Sequence, residues 1–168
     1  MTYTESPRGA SAADAALRGA SAADAAPRTE SLRGASAADA APRSILLYSD
    51  DSQVRDRMRL AIGGRPAADL EVEFVDAADY GECIRLIDTY DIDLLVLDGE
   101  ATPAGGLGIA RQLRDEIADC PPIAVVIARA ADRWLAAYAK VDATLVHPLD
   151  PVTTGRTVAG LLRERATV

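Results

Sequence analysis

Two aspartates stand where short apolar runs give way to polar chain. Asp50 follows Ile45-Leu46-Leu47-Tyr48 after a single serine, Ser49, and is doubled by Asp51. Asp98 follows directly on Ile92 to Leu97, and Glu100 comes two residues later. Carboxylates brought within a few ångströms repel each other unless a cation sits between them, one takes a proton, or water screens them. A hard ion such as Mg²⁺ accepts one or two carboxylates and fills its remaining places with water, and the main-chain carbonyl of Glu100 could add an oxygen. An aspartate can also attack phosphorus and carry an acyl phosphate, with a cation neutralising the transferring group. The plainer alternative is that each aspartate caps a helix or closes a turn. His147, the only histidine, lies at another strand end, directly before Pro148. It could donate a hydrogen bond, or add charge near its ordinary pKa of about 6.5, or be a half-exposed loop residue.

These groups can meet only if the chain brings several strand ends together. The sequence predicts strands around 45–48, 70–75, 92–97, 123–127 and 143–146. Helices are expected over 53–62, 79–90, 107–117, 131–140 and 151–164. Val54, Met58, Leu60 and Ile62 fall at roughly helical spacing along the first helix, and Val152, Val158, Leu161 and Leu162 are expected to face inward from the last. Asp51 or Ser52 can cap the first helix, and Gly63-Gly64-Arg65-Pro66 stops it. Trp134, Leu135 and Tyr138 are the large side chains of the fourth helix. Regular alternation of strand and helix implies an α/β fold, a five-stranded parallel sheet with helices on both faces. Sites in such folds lie beyond the carboxyl ends of the strands, which selects Ser49 to Ser52, Asp98 to Glu100, Ile127 to Arg129, and His147 with Pro148. Gly105-Gly106 reads as a turn before a helix, not as a nucleotide fingerprint.

The order of these segments resembles the receiver domains of bacterial two-component response regulators, over residues 44–165. ILLYSDDSQVR at 45–55 resembles that family's first strand and acidic pair, and DLLVLDGEATPAGGLGIARQLR at 93–114 its phosphoacceptor segment. IAVVIARAADR and ATLVHPLDP resemble the fourth strand with its loop and the fifth strand with its proline. The texture is closest to single-domain, orphan receivers of high-GC actinobacteria. The resemblance implies a flavodoxin-like topology, Asp98 as phosphoacceptor, and Asp50, Asp98 and the Glu100 carbonyl as ligands of a weakly held Mg²⁺. It also implies departures. Ser49 takes the place of an acidic residue, and Ile127 that of the Thr or Ser that binds the phosphoryl group. Ala128 keeps the small residue that follows. Thr144 replaces the aromatic switch residue, and His147 the conserved lysine. Pro148 keeps a proline that follows a cis bond in many members, while Pro103 comes one place later than usual. Ile127 cannot hydrogen-bond a phosphoryl oxygen, and His147 exchanges a permanent charge for a conditional one.

The expected function is therefore an atypical response-regulator receiver, a cytoplasmic signalling or scaffold module working through protein contacts. The alternatives are a conventional Mg²⁺-dependent phosphoreceiver fed by a histidine kinase and, least expected, a small enzyme of the same fold. Partners would be a histidine kinase or downstream effector, or a second copy through the face of the fourth helix, fifth strand and fifth helix. Trp134 and Tyr138 are candidate anchors there, with burial against the sheet as the more ordinary expectation. The net charge of −8 at pH 7 disfavours direct contact with nucleic acid, and no further domain is expected after the last helix. No run approaches the ~20 apolar residues a membrane span needs, and no leader is expected. Cys83 and Cys120 are expected as free thiols. Residues 1–43 carry RGASAADAA at 8–16, 18–26 and 33–41, with five arginines against five acids. They are expected to form a disordered tail, and 166–168 a short C-terminal one.

Overall fold

The computed structural model describes residues 41–166. The expected tails at 1–43 and 166–168 lie almost wholly outside these residues. Five parallel strands alternate with five helices: β1 (Arg43–Tyr48), α1 (Ser52–Ile62), β2 (Val72–Ala77), α2 (Tyr80–Thr89), β3 (Leu94–Asp98), α3 (Gly106–Glu116), β4 (Ile123–Ile127), α4 (Arg133–Tyr138), β5 (Ala143–Val146) and α5 (Pro151–Arg165). A 3₁₀ turn, Ala130–Asp132, leads into α4. The strand order is β2-β1-β3-β4-β5. β1 pairs with β3 in parallel with Tyr48 opposite Leu97, so Ser49, just past β1, lies beside Asp98, the last residue of β3.

Alternation along each strand builds two cores. Ile45, Leu47, Val96, Val126 and Leu145 pack with Met58 and Ile62 of α1 and Val158 and Leu162 of α5. Leu46, Tyr48, Leu95, Leu97, Val125 and Ile127 pack with Cys83 of α2 and Ile109 and Leu113 of α3. The central strands are apolar throughout because both faces are covered. Helix starts are set by aspartates: Asp51, Asp79 and Asp150 accept from the amides of Gln53, Glu82 and Thr153, each satisfying one orphan donor of the first turn.

The structure departs from the sequence pattern on three helices. Leu60 is 82 % exposed, because the buried face of α1 runs through Met58, Ala61 and Ile62 and Leu60 projects about 200° around the helix from Met58. Val152 is also exposed, since α5 meets the sheet only from Thr154 and Gly155 onward. On α4 the buried residues are Ala136 and, at its C-cap, Ala139, whereas Trp134 is 68 % and Tyr138 73 % exposed. Both rings lie opposite Ala136, so the expected burial against the sheet is wrong. The Arg111 guanidinium of α3 lies 5.7 Å from the centre of the Tyr138 ring. Tyr138 thus borders α3. Leu70 lies outside β2, in an isolated bridge with Ala67.

Candidate functional site

Ser49 follows the last residue of β1 and is fully buried, and its hydroxyl donates to Oδ2 of Asp98 over 2.8 Å. The Asp51 amide donates back to the same hydroxyl oxygen at 3.1 Å. Asp98 ends β3 and is 4 % exposed. Its Oδ1 accepts from the Glu100 amide at 2.9 Å. Asp50 is exposed and turns toward the β3–α3 loop. There Oδ1 accepts from the Thr102 amide at 3.1 Å and Oδ2 from the Thr102 hydroxyl at 2.8 Å. These two hydrogen bonds hold the Asp50 carboxyl below the ordinary carboxylate range, because they favour its charged form. Asp51 is spent as the α1 cap, the plainer of the two roles open to it.

The β3–α3 loop is fastened to the end of β1 at a second point, where the Tyr48 hydroxyl donates to the Ala104 carbonyl at 2.7 Å. Burial, and then the neighbouring Asp50 charge, push the Tyr48 hydroxyl pKa up. The backbone beneath the loop is tight. The Gly99 amide donates to the Val126 carbonyl at 2.7 Å, and a Cβ on Gly99 would sit 2.7 Å from that oxygen. At the start of α3, a Cβ on Gly106 would lie 2.6 Å from the Asp98 carbonyl oxygen. The glycines here are therefore required by close approach.

The remaining sequence-selected residues surround this edge unequally. Ile127 closes β4 and is 1 % exposed, while Ala128 is exposed. Thr144 lies half-buried on β5, directly opposite Val125 of β4. His147 is half-buried, its amide donating to the Ile127 carbonyl at 3.0 Å, and the peptide bonds before Pro148 and before Pro103 are both cis. Trp134 and Tyr138 stand on the far side of β4, on α4 and away from the carboxylates. Two participants were missed. Thr102 had only one trace, the displaced Pro103 behind it. Arg55 donates to the Ser49 carbonyl from within α1, and nothing in its spacing marked it.

Chemically, the edge offers two carboxylates, a neutral hydroxyl and main-chain oxygens. All four carboxylate oxygens already accept a protein donor, yet each keeps lone-pair capacity. Among the described residues no group of three or more His, Cys, Asp or Glu side chains gathers as a metal cluster. The donor set fits a hard divalent cation that keeps most of its water, and not a site that strips the ion bare.

No family model matches the chain. Response regulatory proteins of two Mycobacterium tuberculosis strains, both named as uncharacterised, are 50 % identical over 123 residues, covering 73 % of this chain and 92 % of each relative. Among solved structures, a CheY-like response regulator receiver domain from Methanospirillum hungatei JF-1 superposes with a TM-score of 0.60 at 18 % identity, covering 76 % of this chain and 98 % of its own. A LuxR-family two-component response regulator from Aurantimonas sp. SI85-9A1 gives 0.62 at 25 % identity, covering 74 % and 88 %.

Proposed function

Since this chain belongs to the response-regulator receiver family, we propose that it is an atypical member, a cytoplasmic signalling or scaffold protein that acts through protein contacts and has a degenerate phosphoacceptor pocket. One observation carries this reading. The buried Ile127 stands at the strand end where a phosphoryl oxygen would need a hydroxyl. A buried branched alkyl group offers no donor and excludes the water that could replace one. Ser49 supports the same reading, because its hydroxyl satisfies Asp98 as a neutral donor where the family places an acid.

In this reading Asp98 is the acceptor position, and Asp50, Asp98 and the Glu100 carbonyl would hold Mg²⁺. When bound, the ion neutralises charge on a transferring phosphoryl group. The chain's own contribution is orientation: Ser49 and the Glu100 amide fix the Asp98 carboxylate, and Thr102 fixes Asp50. His147 stands where the family has a lysine, and Thr144 provides no ring to swing inward. Output then depends on surfaces. The exposed Trp134 and Tyr138 supply rings of the kind enriched at binding hot spots, for an effector, a kinase or a second copy.

The conventional alternative, a Mg²⁺-dependent phosphoaspartate receiver, is favoured by the retention of both aspartates at one sheet edge. Intact-mass analysis after incubation with Mg²⁺ and phosphoramidate separates the two. The atypical reading expects only trace phosphorylation. Near-complete modification, abolished by Asp98→Asn, would establish the conventional one.

A further inference from the structure

The two carboxylates of the pocket are satisfied by side chains from each other's loops. Ser49, at the end of β1, serves Asp98 of β3, while Thr102, beyond β3, serves Asp50 beyond β1. The second half of this exchange engages a whole carboxylate. Thr102 gives its amide to one Asp50 oxygen at 3.1 Å and its hydroxyl to the other at 2.8 Å, which fixes both the plane and the direction of the group. Donors to a carboxylate place the positive ends of their dipoles where a cation would otherwise sit.

We propose that Thr102 is a positioning residue that competes with a divalent cation for Asp50, latching the β3–α3 loop to the end of β1 when no cation is bound. The proposal rests on Asp50 being the metal-facing carboxylate of the reading above. It goes further by giving the pocket a built-in neutral occupant. A cation that approaches Asp50 along the lone-pair direction a Thr102 donor occupies must displace that donor, so occupancy and loop release are linked. The Tyr48 hydroxyl bond to Ala104 keeps the far side of the loop in place, which confines the release to the segment around Thr102. Thr102 is exposed, so an isosteric change there leaves both cores intact.

The test is a Mg²⁺ titration of the full chain, followed at the backbone amides of Gly99, Glu100 and Thr102. Wild type, Thr102→Val and Thr102→Ser are compared. Val keeps the shape and the amide donor but removes the hydroxyl, and Ser restores the hydroxyl without the methyl group. Loss of one hydrogen bond to an exposed carboxylate predicts Mg²⁺ binding at least about threefold tighter in Thr102→Val. Thr102→Ser should stay within about twofold of wild type, since it keeps that bond. Equal or weaker binding in Thr102→Val overturns the proposal. So does equal tightening in both variants, which would show that loss of the hydroxyl is not the cause, and so does the absence of binding in all three proteins at tens of millimolar Mg²⁺. This outcome is separable from the fate of the functional reading. Efficient phosphorylation of Asp98 would overturn the atypical assignment while leaving the affinity ratio between wild type and Thr102→Val unchanged.

Discussion

Gly106→Ala should destabilise the domain even though alanine is the better helix former. The added Cβ would meet the Asp98 carbonyl oxygen at 2.6 Å, the Asp98 carbonyl carbon at 2.8 Å and the Leu97 Cβ at 2.9 Å. Neither neighbour can yield. Leu97 is fully buried in the core beneath α3, and Asp98 is held in register with Val126 of β4. Relief to an ordinary contact of 3.4 Å therefore needs about 0.8 Å of movement by the start of α3, an overpacking strain of the kind that costs about 1–3 kcal/mol. Gly106 is the first residue of α3, where the propensity gain from alanine is small, so strain wins. Gly108→Ala is the control. It lies in the same helix with nothing within 4 Å of its Cβ position, and should be neutral or stabilising by up to about 1 kcal/mol. Urea unfolding with the slope held constant reads both values. A midpoint for Gly106→Ala equal to or above wild type would refute the claim that α3 is seated by backbone contact on the Asp98 peptide.

Other consequences follow from single contacts. Asp93 is buried, accepting from the Ser44 amide at 2.8 Å and from Arg43 at 2.9 Å. Asp93→Ala should cost about 2–4 kcal/mol in urea unfolding, because a buried donor and its charge partner lose their acceptor. Burial pushes the Cys83 thiol up to about 12. It therefore remains a protonated thiol at pH 8, and alkylation of Cys83 should proceed only at the rate of unfolding; rapid labelling of folded protein would contradict its placement. Thr102 holds the Asp50 carboxyl below the ordinary range, so Thr102→Val should raise that value when the carboxyl carbon resonance is titrated. A lowered folded value means the associated stabilisation is present above the ordinary carboxylate pKa and lost as pH falls through the lowered one. Thr102→Val should narrow the acid-side difference in stability between pH 5 and pH 2, in that direction only.

The elements were legible because the central strands β1, β3 and β4 are nearly unbroken apolar runs and three of the helices, α1, α2 and α5, start at a capping aspartate. The strand-end rule also placed Asp50, Asp98, Ile127 and His147 at one edge correctly. Boundaries slipped where a residue had a better use elsewhere. Leu70 bridges to Ala67, and Asp93 is taken by Arg43 and Ser44 before β3 begins. Helical sides were misjudged where a helix touches the sheet along a narrow stripe. On α4, Ala136 and the adjoining Ala139 suffice to meet it, so the largest side chains are left outside. Thr102 and Arg55 were illegible for a different reason. Their partners, Asp50 and the Ser49 carbonyl, are chosen by how two loops leave the sheet, and spacing along one segment carries no record of that.

Whether a ligand at Asp98 can move anything beyond its own loop separates an atypical receiver from a working switch. Addition of Mg²⁺ and beryllofluoride to the full chain, followed by backbone amide shifts, addresses this most directly. A strand end with the alkyl side chain of Ile127 in place of a hydroxyl, and no aromatic residue at Thr144, predicts perturbations limited to 49–51 and 98–102, with residues 130–146 unmoved. Saturable shifts running through α4 and β5, and absent in Asp98→Asn, would show a working switch and contradict the atypical assignment.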